Sequence, residues 1–287
     1  MGNTNLAAIS QKDMVELVQN RLDELSQNNS IHFPANYSVP NALRSAWLVI
    51  QSTKDINQRP ALSVCTRESV INALLNTVIM GLNPAKKQIY YIVYGDKLEA
   101  QRSYLGTMAV TKRVEGVKDI WADVVYEGDT FKVEKYRGNW KITEHISNFE
   151  NINTDKIKAA YCTILKDNGE EYTEIMNMDQ IQKAWNKSKS KTQTVHKEFP
   201  DQMAKKTVIN RACKIIFNTS DDSDLMIDAF NQSGDQFENH EETEPNAARA
   251  IDSRCEAINN EISEMSSANE ENVSEPRQNP SGEESAG

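Results

Sequence analysis

The densest group of cationic side chains in this chain lies between residues 184 and 217. Eight Lys or Arg residues there are opposed by only two carboxylates, Glu198 and Asp201. The eight cations are Lys187, Lys189, Lys191, Lys197, Lys205, Lys206, Arg211 and Lys214. Because ammonium and guanidinium groups at this density can neutralise a run of phosphates, the stretch is the candidate site for a polyanion.

The second half of this stretch is predicted to be a helix that begins at Pro200. Proline lacks an amide donor and therefore fits a first helical turn. Apolar residues then recur at helical spacing and form one broad arc, which comprises Ala204, Val208, Ile209, Ala212, Ile215 and Ile216. Lys206 and Arg211 flank the arc on either side. Asn210 and Lys214 lie opposite it and are expected to face solvent.

Two parts of the stretch leave alternatives open. Lys205 falls inside the apolar arc, where it either extends to water from an early turn or meets a ligand anion at the floor of a groove. The Lys-Ser-Lys-Ser-Lys run at 187–191 is typical of a solvated loop, but five more cations follow it. The total charge exceeds what solubility requires, which favours the binding interpretation.

Cations also stand beside aromatic residues earlier in the chain. The residues concerned are Lys86 and Lys87 before Tyr90 and Tyr91, and Arg102 before Tyr104, with Lys112 and Arg113 a few residues later. Nucleic-acid clefts use Lys and Arg along the phosphates and aromatic faces against the bases. Tyrosines in a hairpin are also ordinary cross-strand packing residues, so both interpretations stay open.

The net charge of −10 hides a strong asymmetry along the chain. Up to Phe217 there are 29 Lys and Arg against 24 Asp and Glu, whereas from Asn218 onward there are 3 against 18. A mildly basic body therefore precedes a strongly acidic C-terminal segment. This polarity is typical of a nucleic-acid-binding domain with an interaction tail.

The chain lacks the sequence motifs of several common nucleotide-binding and catalytic sites. The chain contains no G-x-x-x-x-G-K-[ST], G-x-G-x-x-G, H-E-x-x-H or G-x-S-x-G motif. We therefore expect no ATP or dinucleotide cofactor. The four cysteines and four histidines are scattered without zinc spacing, and reduced thiols are expected. No apolar run approaches the roughly 20 residues of a membrane helix, and no secretory signal begins the sequence.

A metal-dependent nuclease is the enzymatic alternative. Its carboxylates would come from the predicted strands and turns and comprise Asp119, Asp123, Asp129, Glu134 and Glu144. Two-metal catalysis requires several such groups to converge on a pair of ions. Solvated charge on strand faces and turns is the simpler interpretation of these positions.

The order of predicted elements favours an α+β fold. Helices are expected from about Met14, Pro40, Thr66, Ser103 and Asp179, in addition to the basic helix. Antiparallel hairpins are expected around the turns at 95–96, 127–129, 137–139 and 167–169. Because helices and hairpins come in blocks rather than in strict alternation, the sheet is predicted to be antiparallel.

The acidic C-terminal segment contains one amphipathic pattern. Ile251, Ile258 and Ile262 belong to a seam that is long enough for one short helix. The last twenty or so residues have almost no apolar content and are expected to be disordered. This tail either serves solubility alone or docks a partner, and in the second case truncation after Phe230 should abolish partner binding and leave the activity of the body intact.

Three stretches carry a family resemblance. They are GLNPAKKQIYYIVYGDKLEAQRSYLG at 81–106, AWNKSKS at 184–190 and FPDQMAKKTVINRACK at 199–214. In this order they resemble the RecT family of phage and prophage single-strand annealing proteins, which are functionally similar to the Red beta protein of phage lambda. The resemblance spans residues 40–230.

The resemblance implies a function and an assembly. It implies annealing of complementary DNA strands in recombination without ATP, with magnesium at most modulating DNA binding, by a homo-oligomeric ring or helical filament in the bacterial cytoplasm. It also implies a core of three strands and a helix, and partners that include a 5′→3′ exonuclease and the host single-strand-binding protein. A passive coat protein for single strands is the alternative.

The resemblance also assigns regions of the chain. Residues 1–35 would be an N-terminal helical segment, 36–232 the core for DNA binding and oligomerisation, and 233–287 the acidic linker and partner-binding tail. By position, Lys86 and Lys87, the turn from Arg102 to Tyr104, and the helix carrying Lys205, Lys206 and Arg211 would be elements of the DNA groove.

Overall fold

The computed structural model describes residues 11–27, 33–186, 193–221 and 224–234. The helices in these ranges are α1 (Gln11–Gln27), α2 (Val39–Ser52), α3 (Ala61–Val64), α4 (Arg67–Ile79), α5 (Tyr104–Thr111), α6 (Met178–Asn186), α7 (Gln193–Glu198), α8 (Pro200–Asn218) and α9 (Asp224–Gln232). The strands are β1 (Ile89–Tyr94), β2 (Lys97–Arg102), β3 (Val117–Tyr126), β4 (Thr130–Tyr136), β5 (Asn139–Ile146), β6 (Ile157–Lys166) and β7 (Glu171–Asn177). The predicted α+β class is confirmed.

The centre of the molecule is a three-stranded antiparallel sheet in the order β3-β6-β7. One face of the sheet carries small and apolar side chains, among them Ala160 and Met176, which are paired across β6 and β7. Helix α8 packs on this face through Ala204, Val208 and Ala212, all fully buried. The small residues allow the helix backbone to approach the sheet closely. This is the predicted core of three strands and a helix.

Helix α8 has a second buried side that the sequence did not predict. Asn210 was expected to face solvent but is buried, with a relative exposure of 9%. The reason is that α5 also packs against α8, so that the helix is covered from two directions. The Oδ1 atom of Asn210 has no hydrogen-bond partner among the described residues.

The predicted hairpin between β3 and β4 is wrong. Strand β3 pairs with β6, while β4 and β5 form a separate two-stranded sheet. Beyond the end of β3, the Glu127 N–H donates to the Lys156 carbonyl at 2.9 Å, so the chain there is still bonded toward β6. The β4–β5 hairpin instead packs through Phe131, which stacks on Tyr161 of β6 at 5.7 Å between ring centroids.

The side chain of Asn139 attaches the β4–β5 hairpin to the edge of the sheet. Its Nδ2 donates to the Glu171 carbonyl at 2.7 Å, and its Oδ1 accepts from the Thr173 N–H at 3.3 Å. The Asn139 carboxamide thereby makes the two hydrogen bonds that a peptide group of a neighbouring strand would make to β7. An edge strand with satisfied backbone groups is a poorer template for unwanted pairing.

The N-terminal part packs helices against the β1–β2 hairpin. Thr66 caps α4 by accepting from the Ser69 N–H, as predicted, and α4 packs on β2. Arg113 closes the other end of α4, since its guanidinium donates to the carbonyls of Met80 and Gly81. Helix α1 packs on α2 and α4. The domain boundaries predicted at 35–36 and 232–233 stay predictions.

Helix α9 ends in a C-terminal latch, formed by Phe230 and Ser233. The Phe230 ring stacks on Phe217 of α8 at 4.0 Å, and the Arg102 guanidinium lies 3.5 Å from the Phe230 centroid. The Arg102 N–H donates to the Ser233 carbonyl at 2.7 Å, and the Arg102 guanidinium donates to Ser233 Oγ at 2.9 Å. The end of α9 is therefore part of the fold.

Two sequence predictions concern residues that the structure does not describe. The partner-binding seam at Ile251, Ile258 and Ile262 lies outside the described residues, as do Lys187, Lys189 and Lys191. None of the described helices is long and apolar enough to cross a membrane.

The latch predicts where the chain can be shortened. A chain ending at Phe230 loses both bonds from Arg102 to Ser233 and leaves buried donors unpaired, which we expect to lower the free energy of unfolding by about 2–4 kcal/mol. A chain ending at Thr243, where the compact unit ends, keeps these bonds and should match the full chain. Urea denaturation of the three chains measures this. Equal unfolding midpoints would contradict the structural role of Ser233. Because Ser233 is bonded to Arg102, a truncation after Phe230 removes part of the fold together with the acidic segment.

Candidate nucleic-acid interface

A pocket of about 260 Å³ lies where the β1–β2 hairpin, the start of α5 and helix α8 meet. Its lining residues are Tyr90, Gln101, Arg102, Ser103, Tyr104 and Lys206. Lys86 and Lys87 are exposed just before β1. We call Lys86, Lys87, Tyr90, Tyr104 and Lys206 the cationic junction. The junction therefore draws on three regions predicted from the sequence, which are the lysine pair, the turn from Arg102 to Tyr104 and the basic helix.

Ser103 holds the backbone at Lys87 and Gln88 against the start of α5. Its Oγ donates to the Lys87 carbonyl at 2.8 Å, and its N–H donates to the Gln88 carbonyl at 3.0 Å. The same Oγ accepts from the Gly106 N–H at 3.1 Å and so caps the helix, as the sequence predicts. Lys87 adopts a left-handed conformation, with φ of 55°, which turns the chain into β1.

Gly106 is required by the closeness of this contact. A Cβ atom on Gly106 would lie 2.1 Å from the Gln88 carbonyl oxygen, a backbone atom that cannot rotate away. Any larger residue would therefore push the first turn of α5 away from β1. The distance between Tyr104 and the lysine pair depends on this glycine.

The tyrosines of the β1–β2 hairpin divide between surface and core. Tyr91 is buried and its hydroxyl lies 2.7 Å from Thr77 Oγ1, so the packing interpretation applies to it. Tyr90 and Tyr104 keep 50% and 37% of their surface exposed. These two rings border the pocket and remain available to stack on a ligand.

The other predicted cations of this region have structural partners. The Arg102 side chain is buried and binds Thr107 Oγ1 and the latch, which corrects its expected position on a DNA surface. Arg113 closes α4, as described above. Lys112 pairs with Asp119 at 2.5 Å, and this hydrogen bond lowers the pKa of the Asp119 carboxyl.

Two cations of α8 point toward the sheet instead of the junction. Lys205 Nζ lies 3.1 Å from Asp123 Oδ1, with 30% of its side chain exposed. Arg211 Nε lies 2.8 Å from Glu174 Oε1. An incoming phosphate would compete with these carboxylates. Lys214 is half-buried, which leaves Lys206 as the α8 cation at the pocket.

An aromatic stack that the sequence did not reveal joins α6 and α7 beside the first half of α8. Trp185 and His196 stack at 4.6 Å with nearly parallel rings, and Trp185 Nε1 donates to Thr207 Oγ1 at 2.8 Å. The stack brings the ends of α6 and α7 together beside the residue that follows Lys206. Lys197 is exposed on α7. The sequence could not predict this stack, because Trp185 and His196 lie in different helices and no helical or strand periodicity relates them.

The carboxylates of the nuclease alternative do not converge. Asp119, Asp123 and Glu144 each pair with a lysine. Asp129 is buried and accepts hydrogen bonds from the Tyr126 N–H and the Ser147 hydroxyl. Within the ranges that the structure describes, no three acidic, His or Cys side chains could hold a metal ion together.

Comparisons with known proteins give the same assignment as the residues. Residues 40–245 match the profile of the RecT family. The chain is similar to the protein RecT of Escherichia coli (strain K12), with 25% identity over 227 residues, which is 75% of this chain and 79% of that protein. The match supports a role in single-strand DNA annealing and recombination. Since the profile covers well over half of the sequence and includes both the cationic junction and α8, the chain belongs to the RecT family.

Proposed function

We propose that this protein binds single-stranded DNA at the cationic junction and anneals complementary strands without nucleotide hydrolysis. It would do so as a homo-oligomer, either ring or filament, during recombination of phage or prophage DNA. Family membership supports the annealing role. The observation that supports the location is the pocket in which Lys206 meets two exposed tyrosines.

The chemistry of the junction suits single strands of any sequence. Lys86, Lys87 and Lys206 can follow phosphates, and neutralised phosphates release counterions to the solvent, which drives binding. Tyr90 and Tyr104 offer ring faces on which any base can stack. The pocket is slightly smaller than the ~300–1,000 Å³ of pockets for drug-sized ligands, and is thus suited to one base at a time.

Annealing would follow from binding energy alone. Two complementary strands repel one another through their phosphates, and a surface that neutralises one backbone lowers this repulsion for the second. Sequence specificity then comes from base pairing, so the protein need only hold the backbone and leave the base edges accessible. No cofactor is required, and magnesium would act only by competing for phosphates.

The assembly and the partners extend this proposal. Many protomers along one strand would present it in an ordered form for pairing. The acidic segment that contains Ile251, Ile258 and Ile262 would contact the host single-strand-binding protein and a phage 5′→3′ exonuclease. A cytoplasmic location in the bacterial host fits these partners.

An annealing assay tests the function. Two complementary labelled oligonucleotides should form duplex much faster with the protein than without it, in the absence of ATP and with or without magnesium. Binding without acceleration would indicate a passive coat protein. Strands that are shortened only in the presence of magnesium would indicate a nuclease.

The positions of the cations on α8 predict a hierarchy among them, because Lys206 lines the pocket and Lys205 and Arg211 point toward the sheet. Lys206→Ala should weaken binding of all sequences and reduce the slope of log K against log salt by about 0.7, the value per phosphate contact in single strands. Lys205→Ala and Arg211→Ala should leave the slope nearly unchanged, because Asp123 and Glu174 already neutralise these cations. Lys141→Ala, on the exposed side of β5, is the control. Titrations at several salt concentrations measure the slopes, and an unchanged slope for Lys206→Ala would remove it from the site.

A further inference from the structure

Two turns of this protein present a large apolar side chain to solvent. Ile56, in the turn after α2, is 94% exposed, and Phe149, after β5, is 88% exposed. Scattered apolar residues are normal on protein surfaces. These two are unusual because each sits on a turn that a buried carboxylate holds in place.

The turn around Ile56 is fixed by Asp55. Asp55 Oδ1 accepts from the N–H groups of Asn57 and Arg59 at 2.9 and 2.8 Å. Its Oδ2 accepts from Arg59 Nε at 2.7 Å, and the Asp55 side chain is only 5% exposed. An isolated bridge between Lys54 and Pro60 closes the turn.

The turn around Phe149 is fixed in the same way by Asp129. Asp129 Oδ1 accepts from Ser147 Oγ at 2.8 Å and from Asn151 Nδ2 at 3.1 Å. One oxygen therefore binds both flanks of Phe149, and the Asp129 side chain is fully buried. Side chains held on rigid turns lose little conformational entropy when they bind a partner.

Each of the two residues has further exposed apolar residues close to it in the sequence. Leu48 and Val49 are exposed in the last turns of α2, which precede the Ile56 turn. Ile146 and Ile152 flank Phe149 and are each 52% exposed. Grouped apolar residues of this kind mark protein interaction sites, and anchors of this size dominate binding energy.

The charges around the two surfaces are opposite in sign. Arg44 and Lys54 are exposed beside the first, and Glu150 and Asp155 beside the second. None of these four forms an ion pair with another residue in the described part of the chain. Lys156, next to Asp155, is also exposed, but Glu127 neutralises it at 3.2 Å. We call Arg44, Leu48, Val49, Lys54 and Ile56 the Ile56 surface, and Ile146, Phe149, Glu150, Ile152 and Asp155 the Phe149 surface.

We propose that the Phe149 surface of one protomer packs against the Ile56 surface of the next copy. The opposite charges select a second copy of this chain as the partner, because each copy carries both halves of a complementary pair. A contact between two different surfaces is heterologous, so it repeats from copy to copy and produces a filament or, if it closes, a ring. This inference rests on the proposed homo-oligomer and identifies its contact surfaces.

Complementation between two variants tests the inference. Ile56→Asp should block one surface and Phe149→Asp the other, so each full-length variant alone should sediment as a single protomer in the absence of DNA. An equimolar mixture should form a heterodimer and no longer species, because one intact surface of each kind remains. Sedimentation velocity distinguishes these states. Leu48→Asp and Ile152→Asp provide a second pair.

The controls separate this inference from the proposed function. Tyr136→Asp changes an exposed aromatic residue outside both surfaces and should assemble like the unchanged chain. Both blocked variants should still bind a short oligonucleotide, because the cationic junction is intact. Variants that assemble normally, a mixture that stays monomeric, or an unchanged chain that never assembles would each overturn the inference. If Lys206→Ala loses oligonucleotide binding and the two blocked variants keep it, the result concerns the DNA-binding proposal and leaves the proposed contact between protomers unaffected.

Discussion

The burial of α8 between the three-stranded sheet and α5 is the contact on which the rest of the structure depends. Ala204 and Val208 lie against the sheet, and burial of a valine side chain contributes about 1.5–3 kcal/mol. On its other side the helix meets α5, whose first residue is Tyr104. The spacing between the sheet and α5 therefore sets the distance between Lys206 and Tyr104, and with it the width of the pocket.

Two further contacts join this centre to the N-terminal half. Ser103 links the lysine pair to the start of α5, and Arg102, its neighbour, links the end of β2 to the latch of α9. These adjacent residues thus have different roles. Ser103 positions exposed residues of the cationic junction, whereas Arg102 binds the end of α9 in the interior. This explains why a guanidinium beside a candidate DNA site is itself unavailable: its charge is satisfied inside the protein, where an unpaired buried cation would be costly.

The sequence predicted the elements better than their partners. Alternation in β3 and β4 revealed two strands, but period-two patterning does not say which strands pair, and the link from Glu127 toward β6 depends on residues thirty positions away. Helical periodicity located the sheet-facing side of α8, whereas the burial of Asn210 depends on α5, which no local pattern encodes. Among the predicted site residues, Tyr104 and Lys206 line the same pocket, and Ser103, which also lines it, binds the carbonyl of Lys87. Lys205 and Arg211 could not be separated from Lys206 by sequence, because their ion pairs with Asp123 and Glu174 form only in the folded protein.

The most direct test of the account is to map where a single strand contacts the full chain. An oligonucleotide with photoreactive thymine analogues would be bound, irradiated and analysed by mass spectrometry of the cross-linked peptides. We predict cross-links at Tyr90 and Tyr104, the two exposed rings of the cationic junction, that disappear with excess unlabelled strand. Cross-links confined to the β4–β5 hairpin or to the α1–α2 region, with none at either tyrosine, would contradict it.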